Sequence, residues 1–332
     1  MSLAVLSSSH LGISSREPRF ITHEPTVVRC YSLFDKVFPA CGLLDYTEGI
    51  YAGDETKSYE AAQRDQINYV LDEVACATGT RILEVGCGNG TLLDEVRRRG
   101  AHGVGITISP EQVSLGRRRG LDVRLLDYKN LDDEYCGRFD AVVANGPIEH
   151  FVQPSEAAAG MADEIYRRMF ATFHDALDPA SSNGRFINTT IHFLRTPNPA
   201  DLMRSPFAFP RGSDERHWAW LARSFGGWYP TMGQFESAAA GLFDLVREVD
   251  GTDDYRLTSE EWLRRIRRLL PTGRGLKILL GSLPFAVRHP RQTFDMFTCM
   301  LGSESWNWQF RGPNPPTRLL RQTWRRRENA PV

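Results

Sequence analysis

The sequence predicts an α/β chain built on a doubly wound, mostly parallel sheet, and three observations carry that expectation. Short strand-like runs at residues 81–85, 103–107, 122–126, 140–144 and 184–191 alternate with segments of helical period. The first run ends in Gly86-Cys87-Gly88-Asn89-Gly90, where it turns into the next helical segment. Polar residues stand at run ends, Glu84, Asp127 and Asn145, which is where sheets of this class hold their ligands.

Each element has its own local reason. Residues 59–76 and 91–99 space their apolar side chains for amphipathic helices. Residues 110–119 form a helix opened by Ser109 as N-cap with Pro110 at the first helical position. Residues 156–177 read as one long helix before the fifth strand. After residue 195, Pro197, Pro199, Pro206 and Pro210 break up a segment rich in Phe and Trp, which predicts a helical and aromatic lid inserted over the sheet. Its later part has a capping box, Thr258-Ser259-Glu260-Glu261, opening a helix over 260–270. Residues 276–287, interrupted by Pro284, read as a packed helix, and residues 306–310 as the strand that closes the sheet. The expected division is a mobile N-terminus (1–20), a helical cap over the site (21–75), a core (76–195), a lid (196–305), and a final strand with a basic tail (306–332).

Composition narrows the partners. The chain has 332 residues, 41% of them hydrophobic, and its 40 Lys and Arg nearly cancel 41 Asp and Glu. There is no overall basic field, which excludes nucleic acid as the main partner. Basic residues do gather at Arg264, Arg265, Arg267, Arg268, Arg274 and Lys277 and again from Arg318 to Arg327, as a solvated helix face or as contacts to anionic head groups at a membrane surface. Six cysteines lack metal-ligand spacing, so neither a metal site nor a disulfide framework is expected. With no apolar run near the ~20 residues that span a bilayer and no secretory leader, the expected compartment is cytoplasmic.

The glycine loop alone is ambiguous between a tight turn and a nucleotide cradle. A dinucleotide fingerprint needs a third glycine where Thr91 stands. Glu84 before the glycines and Asp127 after the third strand suit a ligand with a cationic amino-acid end and an adenine. This combination resembles the class I S-adenosylmethionine-dependent methyltransferases, whose Rossmann-like sheet carries a hydrophobic-acidic-x-G-x-G-x-G motif, matched by Leu83 to Gly90.

Further stretches resemble one branch, the cyclopropane fatty acid synthases and their mycolic acid and small-molecule methyltransferase relatives. Gly105-Ile106-Thr107-Ile108-Ser109-Pro110-Glu111-Gln112 is similar to their G-[IV]-T-x-S-x-x-Q, Asp127-Tyr128 to D-Y-R, and Glu149-His150 to the E-H after the fourth strand. Trp228-Tyr229-Pro230, and Asp254-Tyr255 with Trp262, match two more segments, as does Tyr46 to Tyr51 with Ala62-Gln63. The resemblance implies S-adenosyl-L-methionine as cofactor, held by Glu84, Gly86, Gly88, Gly90, Thr107, Gln112, Asp127, Tyr128 and Asn145, and no metal. It implies Glu149, Glu48, Tyr255 and His150 as the catalytic set, with His150 also readable as a structural hydrogen-bond donor and Glu149 as a helix cap. The bicarbonate-binding Cys of cyclopropane synthases falls on Glu48 or Gly49 and the His on Thr189.

These departures imply methyl transfer without ring closure. The expected reaction is C-methylation of an unsaturated lipid or isoprenoid-like substrate. Glu149 and Glu48 would converge as base or carbocation stabiliser, and Tyr255, Trp228, Tyr229 and Trp306 would offer ring faces. N- or O-methylation of a small secondary metabolite and true cyclopropane synthesis are the alternatives.

Overall fold

The computed structural model describes residues 25–43 and 45–328, so the stretch expected to be mobile lies outside the described residues. Its sheet has seven strands: β1 Arg81–Val85, β2 His102–Thr107, β3 Asp122–Leu125, β4 Ala141–Asn145, β5 Arg185–Phe193, β6 Phe243–Asp250 and β7 Thr317–Arg326. Their order is β3-β2-β1-β4-β5-β7-β6. The first five run parallel, and β7 lies antiparallel between β5 and β6. Strand order reverses between β1 and β4, which opens a crevice at their carboxyl ends.

In sequence order the helices are α1 Pro25–Val37, α2 Tyr59–Glu73, α3 Thr91–Arg98, α4 Pro110–Arg118, α5 Pro154–Ala158, α6 Ala162–Ala176, α7 Pro199–Leu202, α8 Asp214–Phe225, α9 Gln234–Ala238, α10 Thr252–Leu269, α11 Gly273–Arg288, α12 Pro290–Phe297 and α13 Ser305–Trp308. Both sheet faces are covered, so the central strands are apolar at successive positions rather than alternate ones. Ile82, Val143 and Ile187 pack with Val70 of α2 and Val96 of α3, while Leu83, Val142 and Phe186 pack with Phe170 and Phe173 of α6.

The structure departs from the sequence expectations in five places. The helix expected over 156–177 is broken, because Gly160 takes φ +74° and separates α5 from α6. The segment expected to be wholly lid contributes β6 to the sheet edge. The closing strand is residues 317–326. Residues 306–310 turn into α13 instead, because Trp306 stacks on Trp262 at 5.3 Å and Asn307 bonds Ser259, side-chain contacts that an extended strand would break. The capping box lies inside α10, where Thr258 Oγ1 donates to the Asp254 carbonyl at 2.8 Å. Finally, α11 is largely exposed rather than packed, with only Gly275 and Phe285 buried.

Candidate active site

A cleft of about 1180 Å³, part of it open to solvent, lies at the carboxyl ends of β1, β2 and β4. Gly86 forms its floor with φ +68°, and a Cβ there would come within 2.5 Å of Pro147. Only glycine lets the loop approach the chain after β4 so closely. Glu84 is buried with Oε2 unpartnered among the described residues, and burial, with repulsion from Asp45, holds its carboxyl well above the usual range. Burial also pushes Asp45, on the same cleft, up to about 6. A cation entering here would favour ionisation of both acids. Beyond β2, Thr107 Oγ1 donates to Gln112 Oε1 at 2.7 Å. Asp127 accepts the Lys129 amide at 3.0 Å, and Tyr128 stacks on Phe151 at 4.0 Å. Asn145 Oδ1 accepts from Gln66 at 2.6 Å and from the Thr189 hydroxyl at 2.9 Å.

A second hollow of about 650 Å³ adjoins the cleft, and Tyr31, Tyr46, Gly146 and His150 line both. Rings of Phe34, Phe225, Tyr229, Tyr255, Trp262 and Trp306 form much of its wall, and no Lys or Arg lines it among the described residues. Glu149 sits in the turn after β4. Its Oε1 accepts the Ile191 amide at 2.8 Å, and its Oε2 is buried without a partner among the described residues. Burial pushes this carboxyl up to about 7 against the Ile191 hydrogen bond. The lid braces it from behind: at Gly227, φ +87°, a Cβ would fall 2.1 Å from the Glu149 carbonyl oxygen. His150 Nε2 meets the Tyr31 hydroxyl at 2.9 Å, and burial pushes the imidazole down to about 4, so it is neutral near pH 7.

Most of the residues expected at the site line one of these two hollows, and three do not. Glu48 lines neither. It is buried with Oε1 accepting from Arg321 Nε at 2.8 Å, so its charge faces a guanidinium rather than the substrate space. Gly90 lies outside the cleft and caps α3, where a Cβ would meet Leu121 at 2.7 Å. Trp228 packs on Phe193 at 4.8 Å, away from the cavity. Sequence reasoning missed Tyr31, Phe34, Asp45, Gln66 and Phe225. The i, i+3 spacing of Tyr31 and Phe34 puts them on one helix face, without saying what that face meets.

The family model described as mycolic acid cyclopropane synthetase matches residues 30–271, from within α1 to just past the end of α10, and so includes most of the lining of both hollows but not the part supplied by α13. The chain belongs to the mycolic acid cyclopropane synthetase family. This family member is 31% identical over 163 residues to the cyclopropane-fatty-acyl-phospholipid synthase of Escherichia coli (strain K12), covering 48% of this chain and 38% of that one. It spans less than half the length of that protein and of other curated relatives it matches. Among solved structures, the cyclopropane synthase MmaA2 from Mycobacterium tuberculosis superimposes with a TM-score of 0.67 at 18% identity, over 92% of this chain and 98% of that one. The mycolic acid cyclopropane synthase CmaA1 complexed with SAH and CTAB gives 0.64 at 17% identity, over 92% and 98%. At these identities the likeness shows the fold alone.

Proposed function

We propose that this family member is an S-adenosylmethionine-dependent methyltransferase that methylates carbon of an unsaturated lipid or isoprenoid-like acceptor, with Glu149 as base or carbocation stabiliser. The observation that carries the reading is the unpartnered Glu149 Oε2 in a ring-lined hollow that joins the cleft at Tyr31, Tyr46, Gly146 and His150. The cleft fits the cofactor: Glu84 and Asp45 would hold its ammonium, the Gly86–Gly88 backbone its chain, Gln112 and Thr107 its ribose, and Asp127 its adenine amine. Bound there, the cofactor supplies an electrophilic methyl group.

The chain's own residues supply the rest. An alkene that has accepted a methyl is left cationic at the neighbouring carbon. Aromatic faces of Tyr255, Tyr229 and Trp306 and the Glu149 carboxylate stabilise that charge. Glu149 Oε2 takes the adjacent proton, and the electrons of the broken C–H bond restore a double bond. With no Lys or Arg in its wall among the described residues, the hollow suits a neutral acceptor better than a phosphorylated one. Ring closure by a bicarbonate base is disfavoured, because Glu48 is engaged by Arg321 and Thr189 by Asn145.

A second reading has support from the same rings. A carboxylate within an aromatic cage also holds an ammonium, which suits N-methylation of a small amine. Transfer of a labelled methyl group separates the two, since label on acceptor carbon supports the first and label on nitrogen the second. Calorimetry with S-adenosylhomocysteine should show binding to the wild type and to Glu149→Gln but none to Gly86→Arg. Turnover in Glu149→Gln should fall ~10²-fold or more, as for loss of a general base. No binding to the wild type overturns the cofactor assignment, and unchanged turnover removes Glu149 from the chemistry.

A further inference from the structure

The helix α11 lies beyond the residues matched by the family model, and its exposed surface is apolar. Leu276, Leu279, Leu280, Leu283 and Val287 follow the i, i+3, i+4, i+7, i+11 spacing of one helical face. Each is about half exposed or more, from 48% at Leu279 to 79% at Val287. On a helical wheel the buried Phe285 falls on the opposite side, so the helix is seated by one face and presents the other to the surroundings. Phe294 and Phe297 of α12, 53% and 58% exposed, extend the apolar surface along the chain. A single soluble chain rarely leaves such a patch without a partner.

The charge around the stripe selects the partner. From residue 262 to residue 294 the sequence has eight Arg and Lys and no Asp or Glu. Arg264 and Arg265 are neutralised by Glu261, and Arg267 by Glu304. Arg268, Arg274, Lys277 and Arg288 are exposed, with no carboxylate within ion-pair distance among the described residues. On the wheel Lys277 and Arg288 both lie along one edge of the stripe. An apolar strip edged by unneutralised cations is the pattern of a helix lying in the plane of a membrane interface, its leucines among acyl chains and its cations at anionic head groups. A protein partner would need an acidic rim to meet the same cations.

We propose that α11 and the exposed phenylalanines of α12 form a docking surface for an anionic lipid bilayer. The placement connects to the site. The helix α11 packs on α1, which carries Tyr31 and Phe34, and α12 packs on α8, which carries Leu221 and Phe225. A chain docked through this face holds the ring-lined hollow beside the lipid surface without using any residue of that hollow as the anchor.

The test is flotation of the full chain with vesicles of phosphatidylcholine alone and of phosphatidylcholine mixed with phosphatidylglycerol. The expected result is capture by the anionic vesicles, weakened by salt as the Debye length shortens, and at least ~10-fold weaker in Leu280→Glu/Leu283→Glu. Lys277→Glu/Arg288→Glu should lose the preference for anionic lipid. Both pairs are exposed, so melting temperatures should match the wild type. Three outcomes overturn the proposal. One is no capture by either vesicle. Another is a concentration-dependent dimer that Leu280→Glu/Leu283→Glu dissolves, which assigns the face to a second copy. The last is capture only after removal of residues 1–23, which assigns it to the chain's own N-terminal segment. Vesicle capture does not depend on methyl transfer, so it can fail while the functional reading stands.

Discussion

Glu149 places a carboxyl near a pKa of about 7 inside a hollow with one oxygen anchored on Ile191 and the other free. If it acts as a base, its proton must leave before turnover, so the rate should rise with pH through about 7 and level off above it. The same shift acts on stability. The folded pKa lies above the ordinary value of 4.5, so the folded state binds more protons across that window and stability falls as pH rises through it. Glu149→Gln removes this dependence. Above neutrality and without cofactor, the variant should melt at or above the wild type while its turnover collapses. A clearly lower melting temperature would make Glu149 a structural residue instead. Its position was legible because an apolar strand that breaks at Asn145-Gly146-Pro147 puts the next side chains at a strand end, beside the crevice. The role of Glu48 was not, because its partner Arg321 is 273 residues away and no local pattern links them.

At the scale of elements, Arg321 ties three of them together. From β7 it pairs with Glu48 in the loop before α2 at 2.8 Å and with Asp254 on α10 at 2.9 Å, and it is 2% exposed. Arg321→Met leaves the buried Glu48 carboxylate and the partly buried Asp254 without their cation, which should cost ~3–5 kcal/mol of stability in urea unfolding. Glu48→Gln, which keeps the Asp254 pair, should cost clearly less, and equal losses would mean that Asp254 adds nothing. Strands β1, β4 and β5 were legible because they are buried on both faces, and β2 and β3 because they alternate with helical segments at regular spacing. The strand β6 was not: as an edge strand its sequence, FDLVREVD, is half charged, and only its neighbour β7 fixes its identity. The Trp306–Phe310 run was misread because aromatic residues suit strands and short buried helices equally, and the choice is made by Trp262 and Ser259 on another element.

Across the whole molecule, the doubly wound sheet fixes one half of the site and later chain builds the other. The glycine loop, Thr107, Asp127 and Asn145 stand at strand ends, so their convergence comes from topology and could be read from order alone. The acceptor hollow has no such rule behind it. Its walls come from α1, α8, α10 and α13, and the packing that brings Tyr31, Phe225 and Trp306 together is set by long-range contacts rather than local spacing. No helix among the described residues is long and apolar enough to cross a membrane.

The shared wall of Tyr31, Tyr46, Gly146 and His150 has a thermodynamic consequence. A ligand that orders those residues from the cleft alters what the neighbouring hollow offers, and linkage requires the influence to be equal in the other direction. Titrating acceptor with and without S-adenosylhomocysteine should therefore give affinities that differ, and differ by the same factor as the two affinities for S-adenosylhomocysteine. Equal acceptor affinities would mean a rigid partition. Otherwise the coupling between the two ligands is carried by four residues that belong to neither site alone.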